Sequence, residues 1–202
     1  MKNSTLINAK EIINFHDIRL INESWPDECE FEFKNSDSIF EFIEANHFFN
    51  TKLWNEEDLA RRKKVSDSEI AKNKRFIDAF NQNRNDYIEK IDHFILNKIS
   101  QKQSINAQQN SETMGSMIDR LSILCLKIFH MSLQTQRQDV LKSHIDSCSE
   151  KLKILKLQRN DLGVCLDQLF YDLLNGSRYF KQYKQFKMYN DPDLNPQIYY
   201  EK

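Results

Sequence analysis

Two arginines, Arg84 and Arg159, stand in the middle of apolar helical stripes. A charge on a buried face is costly unless an anion or hydrogen-bond acceptor meets it, so each guanidinium demands a partner. Arg84 lies among Phe76, Phe80, Ile88, Ile91 and Ile95, spaced so that they share one helix face; Arg159 lies among Leu152, Leu155, Leu162, Leu166 and Leu169. The runs NQNRNDYIEKID (81–92) and LQRNDLGVCLD (157–167) read as an internal repeat, because 159 − 84 equals 167 − 92, pairing Arg84 with Arg159 and Asp92 with Asp167. Asp86 and Asp161 follow their arginines by two residues, where side chains diverge around a helix, so the partners must come from elsewhere. Two readings stay open. The arginines pair with carboxylates on neighbouring helices, Asp119 being one, or they converge with Arg120 and Lys127 on a small anionic ligand, a phosphate or carboxylate gripped bidentately.

A second polar face carries His47, Asn50, Trp54, Glu57 or Asp58, and Arg61. It reads as the lining of a pocket with Glu57 as general base, or as a solvated face with Trp54 turned inward. Glu57, Asp86 and Asp119 are the candidate acids and bases. A dimetal bundle site requires Glu-x-x-His on two helices, which the chain does not supply, so no metal is expected. Glycine-rich phosphate loops and paired Cys/His spacings are missing from the sequence, and no cofactor is expected. Cys125 and Cys165 lie in apolar helical runs that raise a thiol's pKa and make it inert. His130 falls near a helix end, where it meets the dipole and a carbonyl.

These residues need a scaffold. The chain has 202 residues, 40% of them hydrophobic, with only three glycines and three prolines, which favours long helices over turn-rich sheets. The expected fold is all-α, a single bundle of about six helices with a buried central helix. A net charge of −1 gives no broad footprint for nucleic acid. Four cysteines without a C-x-x-C pair suggest reduced thiols and a cytoplasmic setting. The first fifteen residues do not read as a signal peptide, and the most apolar stretch, Ile118 to Met131, is broken by charges and too short for a membrane span.

Along the chain, a short helix is expected through Ile7, Ile12, Ile13 and Ile18, then an extended lead-in at Cys29–Phe33, together forming residues 1–36. The bundle proper is expected at 37–190. Its helices run from Asp37 to Arg61 or Arg62, from a Ser66/Glu69 capping box to Ile99, from a Ser116/Asp119 cap through the central stretch, and from Val140 to a stop at Asn175-Gly176. Residues 100–113 read as a loop. A last helix, Arg178–Tyr189, interleaves Lys181, Lys184 and Lys187 with aromatics that dock it on the core, and 191–202 forms a tail.

The segments HFFNTKLWNEEDLARR (47–62), KRFIDAFNQNRNDYIEKID (74–92), SETMGSMIDRLSILCLKIFHM (111–131), QRNDLGVCLDQL (158–169) and YKQFKMYNDPDLNP (183–196) resemble a bacterial family defined only as domain of unknown function 4254. The resemblance runs from about His47 onward. It implies an all-helical protein and a shared set of polar positions that includes His47, Asn50, Trp54, Glu57, Arg84, Asp86, Asp119, Arg120, Lys127 and Arg159, but no established activity. Whether the protein is an enzyme stays open. The leading reading is a small-anion binder built between the two Arg-Asn-Asp helices; the alternative is a noncatalytic interaction protein, with a homodimer as one form of it, whose buried ion pairs fix helix register.

Overall fold

The computed structural model describes residues 7–27, 38–99, 103–184, 188 and 191–200. Its helices are α1 (Ala9–Leu20), α2 (Ile39–Ala60), α3 (Asp67–Lys98), α4 (Met114–Thr135), α5 (Lys142–Leu174) and the short α6 (Pro196–Tyr199). The bundle is all-α apart from a two-residue parallel pairing of β1 (Gln108–Gln109) with β2 (Arg178–Tyr179). The extended lead-in expected at Cys29–Phe33 lies outside the described residues.

Local chemistry sets most boundaries. Asn8 caps α1 by accepting from the Glu11 N–H, and Ser66 with Glu69 forms the reciprocal capping box that starts α3. α5 ends at Asn175, and Gly176, at φ 68, turns the chain out of the helix as only glycine does cheaply. Two expectations are corrected. The cap of α4 is Thr113, whose hydroxyl accepts from the Ser116 N–H, so the helix begins earlier than a Ser116 cap would allow. No helix starts at Arg178: after the Gly176 turn Arg178–Tyr179 is a strand, held where Gln108 and Asn110 donate to the Ser177 and Tyr179 carbonyls, and 180–184 is irregular. The aromatic-basic spacing there is helical, yet the backbone hydrogen bonds go to a neighbouring strand. Tyr183 of that segment is exposed, while Phe180 is buried in the core.

α4 touches α1, α2, α3 and α5, and Met114, Ile118, Leu121 and Cys125 are fully buried. It is the central helix because an apolar surface that wide can be satisfied only by neighbours on several sides. Ile91 and Ile95 of α3, Leu166 and Leu169 of α5, and Ile7, Ala9 and Ile12 at the start of the chain share one core with it. Ile91 and Ile95 are buried as expected, but nearer the start of α3 the buried face is turned from the expected one: Ile77 and Tyr87 point in, whereas Phe76 is 40% exposed.

Candidate functional site

α2 and α4 meet through polar atoms. Asn46 and Asn50, one turn apart on α2, each donate to Asp119 Oδ1 at 2.9 Å, and Asn50 also donates to Ser122 Oγ at 3.0 Å. The His47 Nδ1 lies 2.7 Å from the same hydroxyl. All five residues are buried. His47 stacks on His16 of α1 at 4.4 Å between ring centres, and on Trp25 at 5.5 Å. Burial holds the His47 pKa down to about 3, with the Arg19 charge acting in the same direction against a raising contribution from the His16 backbone. His16 is also held well below its ordinary value, by burial first and then by His47 and Arg159. Both rings are therefore neutral, and the stack carries no charge into the core.

At the outer edge of this polar layer, α3 brings in Arg84. Its Nε is buried without a hydrogen-bond acceptor, 4.0 Å from Asp119 Oδ1, while Nη2 donates to Asn85 Oδ1 at 3.2 Å. The asparagines explain the gap. Asp119 Oδ1 already receives two amide N–H groups, which hold the carboxylate against α2 instead of closing it on the guanidinium. Arg84 instead faces a cavity of about 360 Å³ lined also by Asn50, Trp54, Glu57, Asp58 and Arg61.

That cavity is one of three that adjoin one another on the outer face of α4. Trp54 and Asp58 also border a second, of about 510 Å³, shared with Lys127, His130, Met131 and Leu155. Lys127 and Gln158 also border a third, of about 630 Å³, which contains Arg120 and Asp161. α4 forms the floor throughout; α2 and α3 wall the first cavity, α2 and α5 the second, and α5 with Glu112 the third. Trp54 stands between the first two cavities with its ring flat on His130, at 4.4 Å and 4°. Burial lowers the His130 pKa, opposed by Asp58.

The charges of the groove differ in how far they are committed. Arg61 donates to Glu57 Oε2 at 2.6 Å, one turn back on α2, and Arg120 donates to both carboxylate oxygens of Glu112 at 2.6 and 2.8 Å. Lys127 makes no ion pair or hydrogen bond among the described residues. The groove thus commits Arg61 and Arg120 to carboxylates and leaves the Arg84 Nε and the Lys127 ammonium open.

The structure gathers Arg84, Asn50, Trp54, Glu57, Arg120 and Lys127 along this groove, with Asp119 beneath Arg84. Arg159 does not join them. It reaches to α1, where its Nη1 donates to both oxygens of Asp17 at 2.7 and 2.9 Å and lies 3.3 Å from Cys125 Sγ. Asp119 and Cys125, six residues apart on α4, face different sides of that helix, so the two guanidiniums reach different partners. Asp86 sits elsewhere as well, accepting from Gln82 and bordering a recess with Lys90 and His93. His47 belongs to the closed core rather than the groove wall.

Asp17, Asn46 and Ser122 were not foreseen, and His130, expected to meet a helix end, has its ring flat on Trp54. The i, i+4 pair Asn46/Asn50 was the available signal, since two amides on one helix face beside apolar residues imply a buried acceptor. The Cys125 thiol is pushed up to about 12, by burial first and by Asp17, with Arg159 opposing, so it is protonated and unreactive. Among the described residues no three His, Cys, Asp or Glu side chains are grouped to hold a metal ion, and no helix is long and apolar enough to cross a membrane.

Neither a curated protein nor a solved structure matches the chain. A family model described as protein of unknown function (DUF4254) matches residues 40–182, a span that takes in α2 to α5 and with them every wall of the groove; the chain belongs to that family.

Proposed function

We propose that the groove along α4 binds a small anionic ligand, with Arg84 as its principal anchor. The observation that carries this reading is the Arg84 Nε, buried, without an acceptor, and bordering a cavity of about 360 Å³. A buried guanidinium donor left unmade costs free energy that a carboxylate or phosphate oxygen would recover. Lys127 provides a second uncommitted cation across Trp54, and the Trp54–His130 ring pair with Met131 and Leu155 offers an apolar wall for the ligand's body. Asn50 and Trp54 orient the ligand in this reading, and Arg120 extends the cationic edge. If a reaction follows binding, Asp119, 4.0 Å from the anchor, and Glu57, on the same cavity, are the carboxylates to carry it, and Glu57 acts as acid or base only once Arg61 releases it. Arg159, His47 and Asp86 have no direct part.

Calorimetric titration of the full chain with inorganic phosphate and with phenyl phosphate tests the proposal. Saturable binding is expected, tighter for phenyl phosphate, weakened at least tenfold by Arg84→Met and little changed by Arg159→Met. Equal affinity in Arg84→Met and the native chain, or no saturable binding of either anion, overturns the assignment.

A further inference from the structure

The exposed apolar side chains of α5 fall on one line. Leu157, Val164 and Tyr171 are 60%, 63% and 63% exposed, and they recur every seven residues, the interval at which a helix presents a seam to another helix. Ile154 and Leu174, 57% and 50% exposed, flank the line at its two ends. The opposite face of α5 is spent on the core through Leu162, Leu166 and Leu169, and Gly163 lets α1 approach so closely that a Cβ there would lie 3.2 Å from that of Ala9. From Ile154 to Leu174 the seam is about 30 Å long at 1.5 Å per residue.

Charge along α5 identifies what covers the seam. Within the stretch that the seam spans, residues 154–160 carry Lys156 and Arg159 and no anion, whereas residues 161–174 carry Asp161, Asp167 and Asp172 and no cation. The two parts are therefore +2 and −3 by formal charge, with Arg159 held by Asp17 of its own chain. This polarity is the reverse of what the helix dipole favours, since the cations lie on the side of the positive N-terminal end. It is, however, complementary to itself when the helix is turned end for end.

We propose that α5 is a dimerisation helix that pairs antiparallel with α5 of a second copy of this chain, about a two-fold axis at Val164. That register sets Val164 against its own copy and Leu157 against Tyr171 of the partner, an isologous contact of the kind a two-fold dimer requires. It brings Asp161 beside Gln168 of the partner subunit and Asn160 beside Asp167 of the partner subunit, so that amides rather than like charges meet the carboxylates. Parallel pairing would stack each half on its own sign.

Sedimentation velocity of the full chain across a range of concentrations reads the prediction. A species of twice the 24.2 kDa chain mass is expected to grow with concentration and to weaken in raised salt. Leu157→Lys with Tyr171→Lys should shift dissociation at least tenfold toward monomer while the helical circular dichroism stays native. Orientation is read separately, in a Cys165→Ser background: Val164→Cys should oxidise rapidly to a covalent dimer, and Leu157→Cys should crosslink to Tyr171→Cys in a mixture but not to itself. A native chain that stays monomeric at all concentrations, a dimer indifferent to the lysine pair, or self-crosslinking of Leu157→Cys overturns the proposal.

Discussion

Asp92 of α3 and Asp167 of α5 do the same work at two different helices: each offers Oδ1 to a first-turn backbone N–H, Asp92 to Gly115 of α4 and Asp167 to Ala9 of α1, both at 2.7 Å. The first turn of a helix has unpaired donors and a positive dipole end, so a carboxylate from a neighbouring helix satisfies both. The surroundings separate the two. Asp167 is exposed to water, whereas Asp92 is 2% exposed, and burial pushes its pKa up to about 6, with the Thr113 hydroxyl and the Gly115 N–H resisting and Glu89 assisting.

A stability cost that depends on pH follows for Asp92. Its folded pKa lies above the unfolded value near 4, so the favourable contribution is complete below about pH 4 and is lost as pH rises through about 6. Asp92→Asn keeps an oxygen for the Gly115 N–H and removes the ionisation. Relative to the native chain it should therefore gain stability between pH 5 and pH 8, by about 1.4 kcal/mol, since about one of the two pKa units, at 1.36 kcal/mol each, is lost above pH 5. Urea melts at the two pH values check this, and a variant equally affected at both would contradict it.

The stacked histidines pull the other way. Their folded pKa values are depressed, so the stability they contribute is present above about pH 6.5 and is lost as pH falls toward the His47 value of about 3. Between about pH 4 and 6 the unfolded chain gains two protons on His16 and His47 while Asp92 retains one in the fold, so the balance of these three groups still favours unfolding as acid is added. Replacing the completely buried His16, whose ring nitrogens have no partner, by Leu should flatten the acid limb of the stability profile and raise the melting temperature at pH 5. A profile of unchanged slope would mean that the acid sensitivity arises elsewhere.

Gly115 is where α3 and α4 come closest. A Cβ at that position would collide with the Ile88 carbonyl oxygen and lie 3.0 Å from the Asp92 carboxyl, and a backbone atom cannot swing aside as a side-chain tip does. Gly115→Ala raises helix propensity by about 1 kcal/mol but must push the helices apart, and overpacking of this kind costs about 1–3 kcal/mol. The expected outcome is a net loss of about 1–2 kcal/mol, read as a lower urea midpoint. It should be accompanied by a fall in the Asp92 pKa, followed by carboxyl NMR, as water reaches the widened seam.

The helices were legible in the sequence because caps, breakers and periodicity agree, as at Ser66/Glu69 and Asn175-Gly176. The site was legible only in part. Arg84 and Arg159 announce themselves as cations on apolar stripes, but whether each finds a carboxylate depends on which helix lies opposite, and spacing along one helix does not encode that. Asp17, the partner of Arg159, is 142 residues away. Asp119 was named as the available carboxylate, yet the two asparagines that draw it from Arg84 can be recognised only once α2 is docked on α4. Residues 178–184 failed for a different reason: their side-chain spacing is compatible with a helix, and the choice of strand was made by unpaired backbone groups at 108–110.

Arg84 and Arg159, alike in sequence, should respond differently to the same substitution. Arg159→Met removes a guanidinium that holds both oxygens of Asp17, and the loss of that half-buried ion pair should cost about 1–2 kcal/mol, moderated because the Asp17 side chain is 43% exposed and can be hydrated. Arg84→Met removes a buried Nε that has no acceptor together with the 3.2 Å Nη2 bond to Asn85, while Asp119 keeps both asparagine amides, so the two effects offset and the fold should be unchanged to within about 1 kcal/mol. Urea denaturation of the two variants in phosphate-free buffer makes the comparison. A larger loss for Arg84→Met than for Arg159→Met would identify Arg84 as the structural ion pair and remove the physical basis for an anion site beside it.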